Sequence, residues 1–369
     1  MTSDAADGTI YTVSSLRDFQ RFTMAHPRLL QTRDRILDAI HGAVSGSLVL
    51  VLGPTGVGKT TLRQNIEQQV LRAMKAATDS DPGQIPIVSL DVVPPLNGNF
   101  SWRDYFQRLL RAMNEPLIEN KQCVGQRRSG TELQYAAEQA LRYRRPVAVL
   151  IDEAQHLGKI GSGRRLLDQL DVIKSMADQT KVVHVLLGTY DLLAFRNLSG
   201  QLSRRSIDVH FARYLPEDKQ DLDAFKNILA TFRHKLPFET CCDFLQCWDF
   251  LYERSIGCVG VLKEWLMRAS HAAVADDAKE LALRHLERTA LSASQCEKML
   301  AEAREGELRL DDEPSRLRLR SLLGLCKAPV EDRAVKMQAS NFSGKTTRKQ
   351  FRRSPKRDRV GELQVGCGS

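Results

Sequence analysis

The 369-residue chain has no apolar run approaching the roughly 20 residues that a membrane span requires. The best candidates, Leu48–Leu52 and Val147–Ile151, have only strand length. The first seven residues, MTSDAAD, show neither the basic start nor the apolar stretch of a secretory signal. A cytoplasmic protein without a membrane partner is the expectation. Paired cysteine motifs are missing too. The eight cysteines are scattered, and the tightest group, Cys241, Cys242, Cys247 and Cys258, has no C-x-x-C spacing and no histidines at ligand intervals. These four fall in what reads as amphipathic helix, so reduced thiols are expected rather than a disulfide framework or a zinc site. No internal repeat is visible.

What is present is a globular composition, 42% hydrophobic and 27% charged, in a chain long enough for two structural units. The net charge of +9 favours a polyanion among the partners. From Arg333 to Arg359 ten Lys and Arg stand against one acid, Asp358, so this segment alone accounts for the imbalance.

The coarse pattern has four parts. Residues 1–26 form an N-terminal segment of mixed polar character. From Pro27, a helix with Leu30, Ile36, Leu37 and Ile40 on one face leads into residues 27–215, where short apolar runs alternate with helix-length stretches. The runs are Ser47–Gly53, Ile85–Val93, Val147–Asp152, Val182–Gly188 and Ile207–Phe211, which predicts an α/β fold with a five-stranded parallel sheet. Residues 216–306 read as a small all-helical unit with breaks near Pro237, Gly257–Gly260 and Ala275–Asp277. Residues 307–369 read as a basic tail, mostly disordered in isolation, in which only Leu317–Leu325 has the pattern of a short helix.

The chemistry concentrates in two motifs. Gly53, Pro54, Thr55, Gly56, Val57, Gly58, Lys59 and Thr60 complete the pattern G-x-x-x-x-G-K-[ST] after a strand and before a helix opening at Thr61. Its glycines let successive amides face phosphate oxygens, Lys59 reaches the outer phosphates, and Thr60 ligates magnesium. The second motif is the apolar strand Val147–Ile151 ending in Asp152 and Glu153. Asp152 can hold the magnesium shell and Glu153 can polarise the attacking water, although an acid pair after a strand can also cap the next helix. ATP and Mg2+ are the cofactors this predicts, and magnesium-dependent ATP hydrolysis is the reaction. Thr189, at a strand end, is placed to orient water or is a plain turn threonine. Arg204 and Arg205 either enter a neighbouring subunit's site or are solvated. Lys263, after Gly257–Gly260, either meets phosphate from the helical unit or is a surface lysine.

This order of P-loop, acid pair, polar strand end, arginine pair and glycine-led helix resembles an AAA+ ATPase with a P-loop core and a small helical lid; the basic tail beyond Gly306 matches no pattern of that class. From about Pro27 to Gly306 the chain is similar to the TniB, TnsC and MuB group of transposition regulators. The resemblance is carried by Gly53–Thr60, Pro94–Pro116, Ile151–Leu157, Leu170–Asp178, Leu187–Thr189 and Leu202–Arg205. It implies a homo-oligomeric ring or filament on double-stranded DNA that recruits or activates a transposase, with a target-selection protein or complex as further partner. It also implies DNA contacts from basic and polar residues lining the inner surface of the assembly, here in the segments after the second and third strands. Trp102, Arg103, Lys159, Arg164 and Arg165 are the candidates here, with solvated loop charge as the other reading. A replication-initiator or helicase-loader ATPase shares the core, but the roughly 60 residues after the helical unit lack the strands of a winged helix. A signalling NTPase that never touches DNA is the remaining alternative.

Overall fold

The computed structural model describes residues 16–43, 46–94, 100–115, 129–158, 164–196 and 206–325; the side chains of 164–170, 195 and 196 are outside that set. Five strands pair in parallel: β1 (Leu48–Leu52), β2 (Ile87–Asp91), β3 (Ala148–Asp152), β4 (Val183–Gly188) and β5 (Ser206–His210). Their order across the sheet is β2-β3-β4-β1-β5. The α/β fold class and all five strands match the expectation.

β1 reads LVLVL without a polar residue because both of its faces are covered. Leu48, Leu50 and Leu52 join one apolar cluster with Phe106, Leu109, Leu133 and Leu141. These come from helices α3 (Trp102–Ala112) and α4 (Gly130–Arg144). Val49 and Val51 face the other way, onto Ile36, Leu62 and Ile66 of α1 (Pro27–Gly42) and α2 (Lys59–Ala73). The alternation follows from the two-residue period of a strand. Each such side chain, fully buried, contributes about 1.5–3 kcal/mol. Helix starts are set locally: α4 by a capping box between Ser129 and Glu132, α1 by Pro27 in its first turn and His26 as cap. α5 (Arg164–Thr180) completes the layer beside α4.

Beyond β5, helices α6 (Lys219–Lys235), α7 (Trp248–Ser255), α8 (Val259–Ala275), α9 (Leu283–Thr289) and α10 (Ala293–Leu310) follow. The apolar centre around them includes Phe225, Phe232, Leu262 and Trp265, whose indole N–H donates to Leu286 O at 3.0 Å. Two features depart from the sequence reading. A two-residue parallel pair, Thr240–Cys241 with Glu280–Leu281, interrupts the helices, so Cys241 lies in a strand rather than a helix. Residues 16–21 are helical, and Phe19 packs edge-on against Phe232 with ring centroids 5.7 Å apart. That apolar contact was invisible among the polar neighbours of the segment.

The chain divides into two compact units, Met1–Glu313 and Pro314–Ser369. Of the second, helix α11 (Glu313–Leu322) is described, with Leu317, Leu319 and Leu322 exposed. The basic run Arg333–Arg359 lies outside the described residues.

Two buried histidines give the fold a pH dependence. His184, in β4, is fully buried; its Nδ1 donates to Val182 O at 3.0 Å. His26 Nδ1 accepts from the Leu29 amide and lies 3.0 Å from Tyr214 Oη. Desolvation lowers both from the ordinary 6.5 to about 4. The unfolded chain therefore binds more protons between those values. Stability is fully present above 6.5 and is lost as pH falls toward 4, on the order of 3 kcal/mol for each histidine at the limit. The urea midpoint is expected to drop between pH 7 and pH 5. An unchanged midpoint would show that these rings are charged in the folded protein.

Candidate nucleotide site

Parallel strands deliver their C-terminal ends to one edge of the sheet, and the candidate residues gather there. β1 runs into the phosphate loop, β3 ends on Asp152, and β4 ends at Gly188, followed by Thr189. In the loop, Gly56 and Gly58 have φ of +74° and +111°, values that residues with a Cβ rarely adopt. The space is equally restrictive, because a Cβ on Gly53 would sit 2.5 Å from Phe211 O.

Lys59 opens α2 and is buried. Its amine donates to Gly53 O at 3.0 Å and to Pro54 O at 2.8 Å, folded back over its own loop. Desolvation lowers the amine's pKa, opposed by the nearby carboxylates of Glu153 and Asp152. A phosphate would offer this cation a charged acceptor in place of two neutral carbonyls. Thr60 Oγ1 donates to Asp152 Oδ2 at 2.8 Å, which joins the two sequence motifs directly. Asp152 is 1% exposed, and this buried carboxylate beside a hydroxyl is the oxygen donor set a hard divalent cation takes. Asp152 and Thr60 are the residues that would hold such an ion, together with substrate phosphates.

Arg63 was not singled out from sequence. It lies one turn beyond Lys59 on α2, with Nε 3.4 Å from Asp152 Oδ2 and Nη2 3.5 Å from Asp91. It partly balances the buried carboxylate and ties it to the neighbouring strand. The spacing of Lys59 and Arg63, four residues on one helix, places both on the same face and was the available signal.

The helical unit closes over the loop. Gly260 approaches so tightly that a Cβ there would lie 2.4 Å from Gly56 O, and the Val261 amide donates to that oxygen at 3.1 Å. Gly260, Lys263, Glu264, Met267, Arg268 and His271 recur at helical spacing and line one side of a cavity of about 700 Å³. Thr55, Lys59, Thr60, Thr61, Glu153 and Thr189 line the other side. The Lys263 amine donates to Gln20 O at 2.8 Å and Phe22 O at 2.7 Å, so it fastens the N-terminal residues to the pocket wall. Arg268, exposed one turn further along α8, was not anticipated. A smaller apolar recess lined by Phe22, Met24, Leu29, Val57 and Val259 shares Gly58 and Lys263 with this cavity.

Thr189 lines the cavity, with its hydroxyl donating to Asp191 Oδ2 at 3.2 Å. α10 covers the neighbouring space: Gly306 meets the Tyr190 ring so closely that a Cβ would fall 2.0 Å from it. A second cavity of about 520 Å³ opens between α10 and the loop, lined by Glu153, His156, Asp191, Glu302 and Arg309 among others.

The remaining candidates are placed less centrally. Trp102 is half-buried, 5.6 Å from the Phe106 ring in a stacked arrangement, while Arg103 beside it is exposed. Arg164 and Arg165 begin α5, and nothing further of their side chains is described. Lys159, Arg204 and Arg205 lie outside the described residues.

No curated protein sequence matches the chain. Among solved structures it is similar to the ORC1 protein of Aeropyrum pernix in complex with DNA, with a TM-score of 0.51 and 17% identity over 72% of this chain. It spans 65% of the length of that ORC1 chain. The Aeropyrum pernix ORC2 protein in its ADP form is similar at a TM-score of 0.50 and 16% identity, covering 74% of this chain and 71% of the other. At such identities the likeness is one of fold. Residues 43–195 match the AAA domain family, and the strand order and phosphate loop described above give this part of the chain the fold of an AAA+ P-loop domain.

Proposed function

We propose that the chain is a magnesium-dependent ATPase that assembles on double-stranded DNA and regulates transposition by recruiting or activating a transposase. The observation that carries the ATPase part is the 2.8 Å contact between Thr60 and Asp152 at the mouth of the phosphate loop, with Glu153 next in sequence. Gly53–Thr61 would cradle the phosphates through backbone amides, and the N-terminus of α2 adds its dipole. Lys59 stabilises charge on the outer phosphates. A magnesium ion on Thr60 and Asp152 would neutralise phosphate charge. Glu153 accepts a proton from the attacking water, and Thr189 lies where it can orient that water. Lys263 and Arg268 face the pocket from the helical unit. Arg204 and Arg205, next to β5, are proposed to act across a subunit interface, and the division into core, lid and basic tail remains the organisation we propose.

DNA binding is supported by the net charge of +9 and its concentration in Arg333–Arg359. Arg103, Lys159, Arg164 and Arg165, with Trp102, are the proposed contacts from the core. The transposition assignment rests on the sequence resemblance. A replication-initiator role is the second reading, favoured by the similarity to an ORC1 protein whose structure was determined with DNA.

Fluorescence anisotropy of a labelled duplex tests the DNA reading. Binding is expected to require ATP or a slowly hydrolysed analogue, to weaken at least about tenfold between roughly 50 and 200 mM salt, and to show little sequence preference. Affinity indifferent to nucleotide and salt would overturn it. Stimulation of strand transfer by an integrase-type transposase, against loading of a replicative helicase, then separates the two roles.

A further inference from the structure

We propose that Gln155 is a positioning residue for Glu153, holding one carboxylate oxygen so that the other is presented to water. The inference deepens the ATPase reading and rests on it. Glu153 directly follows β3 with φ of +54°, in the left-handed region, which turns the chain sharply into the 3-10 segment Ala154–Gly158. That turn brings Gln155 back alongside the residue it follows. Gln155 Nε2 donates to Glu153 Oε2 at 2.6 Å. Its other end, Oε1, accepts the backbone N–H of Thr189 at 3.3 Å.

The amide can point only one way. A backbone N–H can only donate, so it must face the carbonyl oxygen, and the NH2 group is left for a carboxylate that can only accept. Gly188 makes room for this arrangement, since a Cβ there would stand 2.5 Å from Gln155 Oε1. Gln155 is 8% exposed, so its orientation is not averaged by solvent. His156 Nε2, 3.6 Å from the same Glu153 oxygen, is too far to replace that bond. The result is a bridge of two hydrogen bonds from the end of β4 to the carboxylate at the end of β3. Both ends of the bridge line the nucleotide cavity. Movement of Thr189 is thereby transmitted to Glu153, and a carboxylate fixed at one oxygen loses less freedom when the other receives the water's proton.

Steady-state ATP turnover tests this with three single variants and one double variant. Gln155→Ala is expected to lower kcat about tenfold while KM stays within about twofold. Gln155→Glu retains the length and the acceptor for Thr189 but loses the donor. It should show at least the same loss of kcat; the second carboxylate beside Glu153 lowers the melting temperature, so a retained cooperative transition and a KM within about twofold are what separate the effect from misfolding. In the Glu153→Gln background, adding Gln155→Ala should make no further difference, because the residue acts through Glu153. Unchanged kcat in Gln155→Ala, full activity in Gln155→Glu, or a second independent loss in the double variant would each overturn the proposal. Wild-type turnover by Glu153→Gln alone would instead remove the role of Glu153 on which it rests.

Discussion

Replacing Lys59 with alanine is expected to weaken ATP binding by at least about a hundredfold, the equivalent of roughly 3 kcal/mol for a charge-assisted contact with phosphate. The environment makes the residue hard to substitute. Its amine is buried and held by Gly53 O and Pro54 O, so the cation is already poised at the loop when phosphate arrives. Glu153→Gln should behave differently. The amide retains the size of the side chain, Thr60 and Asp152 are untouched, and binding should stay within about threefold. Loss of the proton acceptor should lower turnover by about 10²–10⁴. Titration with a fluorescent ATP analogue and a phosphate-release assay measure the two effects separately. Full binding by Lys59→Ala would move the phosphate site elsewhere. Equal turnover in wild type and Glu153→Gln would remove the assignment of the base.

How much of this was legible in the sequence depends on the range of the interactions. β1 and β3 were readable because each is an apolar run buried on both faces, and β1 has no polar residue at all; β5, at the sheet edge, is partly exposed and was marked only by Ile207, Val209 and Phe211. The phosphate loop was readable because its glycines, lysine and threonine are contiguous. Nothing local in the sequence joins Thr60 to Asp152, 92 residues apart; that contact arises because β1, which leads into α2, and β3, separated from it by β4, end on the same edge of the sheet. Gln155 stood in plain view two residues after Glu153, but its significance lies in the Thr189 amide, 34 residues further on. The small pairing of Thr240–Cys241 with Glu280–Leu281 was missed for a related reason. Two-residue strands carry no periodicity to detect. Resemblance pointed to a transposition regulator, whereas the comparisons support the coarser AAA domain and an ORC-like fold. The ATPase motifs are shared across these groups and do not discriminate among their partners.

Arg213→Leu is expected to cost about 3–5 kcal/mol of stability, the range for breaking a buried ion pair from one side. Arg213 follows β5 and is 6% exposed. Its Nε donates to Glu307 Oε1 at 2.9 Å and its Nη2 to Oε2 at 3.2 Å, a two-pronged contact with α10. Nη1 also reaches Tyr252 Oη and Ile256 O, so one guanidinium joins the sheet edge to α7 and α10 together. Without it, Glu307 is left three-quarters buried beside leucine, and the close seat of Gly306 on Tyr190 loses its anchor. The consequence should reach the site through Tyr190, which follows Thr189, more than through the phosphate loop. Nucleotide affinity should therefore change less than stability. A double variant, Arg213→Met with Glu307→Leu, removes both charges and should recover most of the loss, since an apolar pair of similar volume needs no desolvation. Urea denaturation of the three proteins measures this directly. A loss below about 1 kcal/mol for Arg213→Leu, the level of a surface pair, would mean that α10 is held to the core by its apolar contacts alone.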